Sequence, residues 1–206
     1  MSADRSDAAR PARAALPAHA PIRAHSERDR TGEAPEILAR GIVAHVGFVD
    51  GGRPVVIPMT YQYSPAEPQR LYLHGGRTGR LMTHLATGAP VSVAVTTADG
   101  LVYSKAALDH SVNYHSVVLF GRAAREQPDT AAKRVILEAM IARYFPGRTP
   151  GVHYETASNA QLETTAMVAV DIEEWSAKVR EGGPNGRGDD DPARPGTAGV
   201  VPLGRG

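Results

Sequence analysis

The stretch GIVAHVGFVDGGRPVVIPMTYQY (residues 41–63) reads as two strands around one tight turn. Gly41–Asp50 is rich in β-branched and aromatic residues, and Asp50-Gly51-Gly52 is a strong hairpin signal. Arg53–Tyr63 is then the returning strand. Pro54 and Pro58 have no amide hydrogen to give to a ladder, so this strand belongs at an edge or a bulge, where its backbone is free to face a ligand.

Working outward, the same period recurs. Arg70–His74 reads as a third strand, and a helical pattern from about Gly79 to Thr87 ends at Gly88. Pro90–Thr97 alternates as a fourth strand, Asp99-Gly100 is expected to turn it into Leu101–Ala106, and Val112–Arg125 is a long strand with Gly121 as its bulge. After Pro128 the residues Ala131, Val135, Ile136, Ala139, Met140 and Tyr144 form an apolar helical stripe closed by Pro146-Gly147. A short helix or turn includes Ser158–Glu163, and Thr165–Ile172 is the last main strand, which Glu173–Arg180 either continues or leaves. Upstream, a helix over Glu33–Arg40 is capped by Thr31. These elements predict a mainly β chain, a six- to seven-stranded antiparallel barrel with flanking helices. Three regions follow: a tail over 1–30, rich in Ala, Arg, Pro and Ser and expected to lack structure, the barrel domain over 31–181, and a Gly/Pro/Asp-rich segment over 182–206 in which AGVVPL packs back on the barrel.

The 206 residues carry a net charge of +1, which offers no electrostatic case for nucleic acid or an acidic surface as partner. The absence of cysteine removes disulfides, thiolate metal sites and Cys nucleophiles. No apolar run approaches the roughly 18 residues of a membrane span, and the N-terminus does not read as a secretory signal, so a soluble cytoplasmic protein is expected. The eight histidines show no HExxH or similar ligand spacing, and there is no GxSxG elbow or GxGxxG turn.

The chemistry points elsewhere, to LYLHGGRTGRLMTHL (71–85). An apolar run ends in His74, a glycine turn follows (Gly75, Gly76, Gly79), and Arg80 opens a helix. Glycines admit an anion close to the backbone, and Arg80 offers a two-pronged contact to phosphate oxygens; by itself the stretch also suits a plain surface turn with a solvated Arg. Ser104-Lys105 and Asp109-His110-Ser111-Val112-Asn113-Tyr114 are a second cluster, equally compatible with turn chemistry and ligand contacts.

Taken in order, HVGFVDGGRPVVIPMTY (45–61), LYLHGGRTGR (71–80), DGLVYSKAALDHSVNYHSVVLFGRA (99–123), SAKVREGGP (176–184) and AGVVPL (198–203) resemble the pyridoxamine 5′-phosphate oxidase-like family of flavin-binding split barrels, in its flavin-nucleotide-binding and nitroimidazole-resistance-like branch. The resemblance implies an FMN-dependent oxidoreductase reacting at flavin N5, a split barrel, and a homodimer with the cofactor at the subunit interface. It implies that His74, Gly75, Gly79 and Arg80 surround the FMN phosphate, with His74 the candidate for catalysis. Pro58, Met59, Thr60 and Tyr61 would run their backbone along the isoalloxazine, and Ser104, His110, Ser111 and Asn113 would close the pocket from the partner subunit. Relatives usually carry Arg where this chain has His115, and the family's Arg- and His-rich terminus for the vitamin phosphate is absent, which argues against pyridoxal phosphate synthesis. A flavin or haem carrier, a haem-degrading barrel, and a deazaflavin-dependent reductase are the alternatives. From the histidine spacing no metal site is expected.

Overall fold

The computed structural model describes residues 19–204. Its elements are α1 (Ala34–Arg40), β1 (Val43–Asp50), β2 (Arg53–Tyr63), β3 (Arg70–Gly76), α2 (Arg80–Ala86), β4 (Pro90–Tyr103), β5 (Ser111–Ala123), α3 (Thr130–Tyr144), α4 (Asn159–Thr164), β6 (Thr165–Arg180) and β7 (Gly199–Pro202). All strand pairings are antiparallel, in the order β1-β2-β3-β6-β5-β4-β7, and β1 also pairs β4. Six strands therefore close into a barrel, and β7 extends β4 outside it. Closure leaves most strand edges paired.

The hairpin signal is realised as read. Gly51 and Gly52 take φ of 56° and 79°, the left-handed pair that matches the twist of two joined strands, and Asp50 pairs Arg53 across them. The Asp99-Gly100 turn is not formed. One strand, β4, runs through it with a register shift between Ala98 and Gly100, because β5 offers an uninterrupted partner on both sides. Gly121 does sit at a bulge against β6, where a Cβ would collide with the carbonyl oxygen of Asp171. The α3 stripe has shifted phase: Ala131, Val135 and Ala139 face solvent, Val135 at 66% exposure, and Met140 is the buried member.

The core is lined by alternate residues of the strands, among them Ala44, Val46, Leu71, Leu73, Val93, Val95, Val117, Leu119 and Ala177, with Leu81, Met82 and Leu85 of α2 and Ile37 and Leu38 of α1 packed into it. Part of the 1–30 segment is ordered. Residues 1–18 lie outside the described residues, but 19–30 run over the outer face of β6. The His19 and Ala20 amides donate to the Glu174 carboxylate, Lys178 Nζ donates to the Ala24 carbonyl at 2.9 Å, and Arg30 N donates to Ala177 O at 2.9 Å. Backbone and side-chain hydrogen bonds supplied by the sheet offset the ordering entropy that composition alone leaves uncovered.

One helix-borne cation organises the strand entrances. Arg143 of α3 donates through Nε to Ala39 O at 2.9 Å, through Nη2 to Leu38 O at 2.9 Å and to Gly41 O, and through Nη1 to Tyr61 O at 2.7 Å. It thereby satisfies the unpaired carbonyls at the C-terminus of α1, and its guanidinium lies 4.6 Å from the Tyr61 ring centroid and 4.8 Å from that of Tyr144. Arg143→Met is expected to lower the unfolding free energy by about 2–4 kcal/mol, because several half-buried carbonyls lose a charged donor together. Urea unfolding of both proteins at one pH measures it, and a midpoint unchanged from wild type refutes it.

Candidate functional site

β2 changes partner along its length. Residues Arg53–Thr60 pair with β1 alone, and Tyr61–Tyr63 pair with β3. The β2–β3 ladder begins at Tyr61↔Leu73, whereas β3 continues along β6 to Gly76↔Thr165. The sheet thus splits between Met59–Thr60 and His74–Gly76. Pro54 and Pro58 lie on the stretch that is paired on one edge only, the setting in which strand prolines are tolerated. Thr60 and Pro58 are exposed and Met59 is half-buried.

Across the cleft stands the glycine corner. A Cβ on Gly75 would touch Met82 Cε at 3.4 Å and Met59 Cε at 3.7 Å, so two thioethers and a bare backbone form the floor. Gly79 caps α2, its amide donating to Gly76 O at 2.9 Å, and a Cβ there would press that oxygen at 3.0 Å. Arg80 opens α2 with its side chain 62% exposed and Nε 3.4 Å from Asp50 Oδ2. Asp50 belongs to the hairpin turn, so its place beside Arg80 came from closure of the barrel and carried no local signal. His74 is half-buried opposite Met167, and burial lowers its imidazole pKa below the ordinary value. Near neutral pH it is a neutral ring with one donor and one acceptor nitrogen.

Tyr61 marks the closed end of this cleft. Its phenol is fully buried, donates to Leu38 O at 2.5 Å, and is pushed up to about 12 by that burial. The Tyr144 hydroxyl donates to Tyr61 O at 2.5 Å and accepts from Tyr61 N at 3.2 Å. These bonds occupy the Tyr61 amide and carbonyl, which leaves Pro58, Met59 and Thr60 as the open backbone.

The second predicted cluster is not brought to this cleft within one chain. His74 is opposite Met167, and Tyr114, next to Asn113, is opposite Arg180; these registers lie thirteen residues apart on β6, roughly 40 Å of extended strand. At that far end Ser104 is buried and donates to Asp189 Oδ1 at 2.7 Å, and the Lys105 amide donates to the same oxygen at 2.8 Å. These hydrogen bonds hold the Asp189 carboxyl below the usual carboxylate range. His110 Nδ1 is 3.2 Å from Ala106 O, Ser111 starts β5 opposite Val102, and Asn113 Nδ2 donates to Gly182 O at 3.0 Å. His115 stands between Asp99 Oδ2 at 2.7 Å and Glu181 Oε1 at 3.1 Å. The C-terminal segment returns here as β7, pairing Gly199–Pro202 with β4.

A six-stranded barrel opened between two strands beside a glycine–arginine corner is a split barrel. The chain belongs to the pyridoxamine 5′-phosphate oxidase family, whose profile matches residues 30–179. It is similar to the FAD and heme binding protein from Mycobacterium smegmatis, at 33% identity and a TM-score of 0.73 over 85% of this chain and 84% of that one. It is also similar to the flavocytochrome Anf3 from Azotobacter vinelandii, at 30% identity and a TM-score of 0.76 over 90% of this chain and 84% of that one. A 5-nitroimidazole antibiotic resistance protein from Bacteroides thetaiotaomicron shares the fold, at 23% identity and a TM-score of 0.57 over 72% of this chain and 82% of that one. No protein of curated function matches the chain. Among the described residues, no helix is long and apolar enough to cross a membrane.

The neutral state of His74 has a consequence for acid stability. The unfolded imidazole titrates near 6.5 and the folded one lower, so the unfolded chain binds more protons below that value. Stability from this group is complete above about pH 6.5 and falls as pH drops through the depressed folded value. His74→Gln should therefore lose less stability than wild type between pH 7.5 and pH 5.5 in urea titrations. Equal losses in the two proteins would contradict the assignment.

Proposed function

We propose that this chain is a flavin-nucleotide oxidoreductase that holds FMN in the cleft between β2 and β3 and passes electrons or hydride to a small molecule. The observation that carries the reading is the split itself: an unpaired β2 edge at Pro58–Thr60 faces a glycine corner ending in the exposed Arg80. The donor set fits the group. Gly75, Gly76 and Gly79 let a phosphate approach the backbone, Arg80 supplies the cation, and the free edge of β2 supplies main-chain polar groups for a planar ring. His74, neutral and half-buried, is positioned to exchange a hydrogen bond with phosphate or substrate. Flavin bound there supplies the redox chemistry, and the protein supplies position, exclusion of water and electrostatics.

The distance between the two predicted clusters supports a homodimer. In an isologous pair the Ser104–Asn113 end of one copy can close the cleft of the other, whereas within one chain the two lie toward opposite ends of β6. The outer barrel face favours such pairing: Pro58, His45, Ala94 and Val118 lie in register across four strands, and Val56 and Val118 are exposed at 62% and 39%. A second reading adds haem, as in the names of the two relatives at 30% identity or more, and His45, exposed in the middle of this apolar face, is then the candidate axial ligand.

Absorption spectra of the purified protein, before and after addition of FMN or FAD, together with chromatography of the released cofactor, test these readings. Flavin bands that bleach on reduction support the lead, a Soret band supports the second, and a preparation that takes up neither group overturns both. Arg80→Ala should weaken flavin binding about 10-fold to 100-fold, the worth of one charge-assisted contact. Val56→Asp should shift the protein to monomer in sedimentation and reduce flavin uptake; a flavin-replete monomer would refute the shared site.

A further inference from the structure

The outer end of β6 carries a buried cation with no counter-ion among the described residues. Arg180 is 7% exposed, yet its partners are neutral: Nη1 donates to Asn113 Oδ1, and Nη2 lies 3.4 Å from Gly183 O. Among the described residues no carboxylate approaches it within ion-pair distance. Asn113 is held for this task, since its Nδ2 is committed to Gly182 O and its Oδ1 is thereby turned to the guanidinium. A guanidinium removed from water normally has an anionic partner, because neutral acceptors recover only part of its hydration.

The side of Arg180 left open is a cavity of about 260 Å³ roofed by the N-terminal segment. That segment contributes Arg28 and Arg30 to the lining, and Gly183 and Asn185 complete it. Two carboxylates also border the cavity: Glu27 is shared between His25 and Arg28, itself one of the lining cations, and Glu181 is turned to His115. Glu27 Oε1 is 3.1 Å from His25 Nδ1 and 3.6 Å from Arg28 Nε, and Glu181 is turned to His115 Nε2 at 3.1 Å. Arg30 lies 3.7 Å from Glu33, a loose and exposed pair. Three guanidiniums from two segments distant in sequence thus converge on one partly enclosed space, with the most buried of them unneutralised.

We propose that this cavity is a second anion site, separate from the Arg80 corner, that takes the phosphate group of a small molecule on Arg180, Arg28 and Arg30. The planar forks of arginine suit phosphate oxygens, and enclosure beneath the N-terminal segment strengthens the attraction over that of a surface cation. Two sources share this chemistry: a separate phosphorylated ligand, and the pyrophosphate of a dinucleotide cofactor reaching over from a partner copy.

The test is calorimetric titration of the full chain with inorganic phosphate and with pyrophosphate, in an R80A background that removes the cleft's own cation. Saturable binding that weakens with added salt is expected, reduced about tenfold or more by R28S/R30S and by R180M. R28S/R30S alters exposed or half-exposed side chains, so it reads the site even if R180M fails to fold. No saturable binding, or equal binding in R28S/R30S, overturns the proposal. Competition by FAD and not by FMN identifies the dinucleotide pyrophosphate as the source, and indifference to both identifies a separate ligand; either result supports the site. Flavin uptake by the protein with Arg80 intact is read separately, so the fate of the flavin assignment does not decide this one.

Discussion

The structure turns on the handover at Thr60 and Tyr61, where β2 leaves β1 and joins β3. A strand that changes partner strands the backbone groups of the residue at the switch, and buried backbone groups must be satisfied. Here α3 does it. Tyr144 bonds both the amide and the carbonyl of Tyr61 and lies 3.2 Å from the Ile42 carbonyl, while Arg143 ties Tyr61 O to three carbonyls at the end of α1. With the switch secured, residues 53–60 keep an open edge, and α2 is free to fill the barrel mouth with Leu81, Met82 and Leu85. The cleft follows from that geometry.

Charge is distributed sparingly around it. Among the described residues Arg80 forms an ion pair with Asp50 alone and stays exposed, so an anion arriving there would compete with one partly solvated carboxylate. Half-burial lowers the His74 pKa and so further favours the neutral ring, which keeps a second positive charge out of the cleft. The cations at the far end of β6 are more deeply held, under a segment anchored to Glu174, Ala177 and Lys178. One barrel therefore presents two cationic corners of different depth at its two ends.

Both chain ends act as dressing for the sheet. The N-terminal segment covers the outer face of β6, and the C-terminal segment locks onto the β4–β5 tip through Asp189, Ser104 and the β7 ladder. His115 ties this tip together by facing Asp99 and Glu181 at once. Gly182–Gly183 carries Asn113 and Arg180 contacts, so the same segment borders the second corner.

Much of the barrel was legible because strand period and turn chemistry act over a few residues. Gly51-Gly52 announced their left-handed turn, Gly121 its bulge, and the alternation of Pro90–Thr97 its two faces. Asp99-Gly100 misled for the same reason: its local preference for a turn lost to an unbroken neighbour, β5, which no local pattern reveals. The α3 stripe lost its phase because Arg143, polar by type, is what the helix inserts beside Tyr144. By itself, then, the sequence determined the antiparallel β class and the glycine corner with its arginine. Only the tertiary structure decided where β2 changes partner, that Asp50 stands beside Arg80, that the Ser104–Asn113 cluster lies a strand's length away, and that Arg180 is buried with no carboxylate against it among the described residues. Those outcomes depend on satisfying hydrogen bonds and excluding water between residues as far apart as Arg143 and Ala39, and no short-range pattern encodes them.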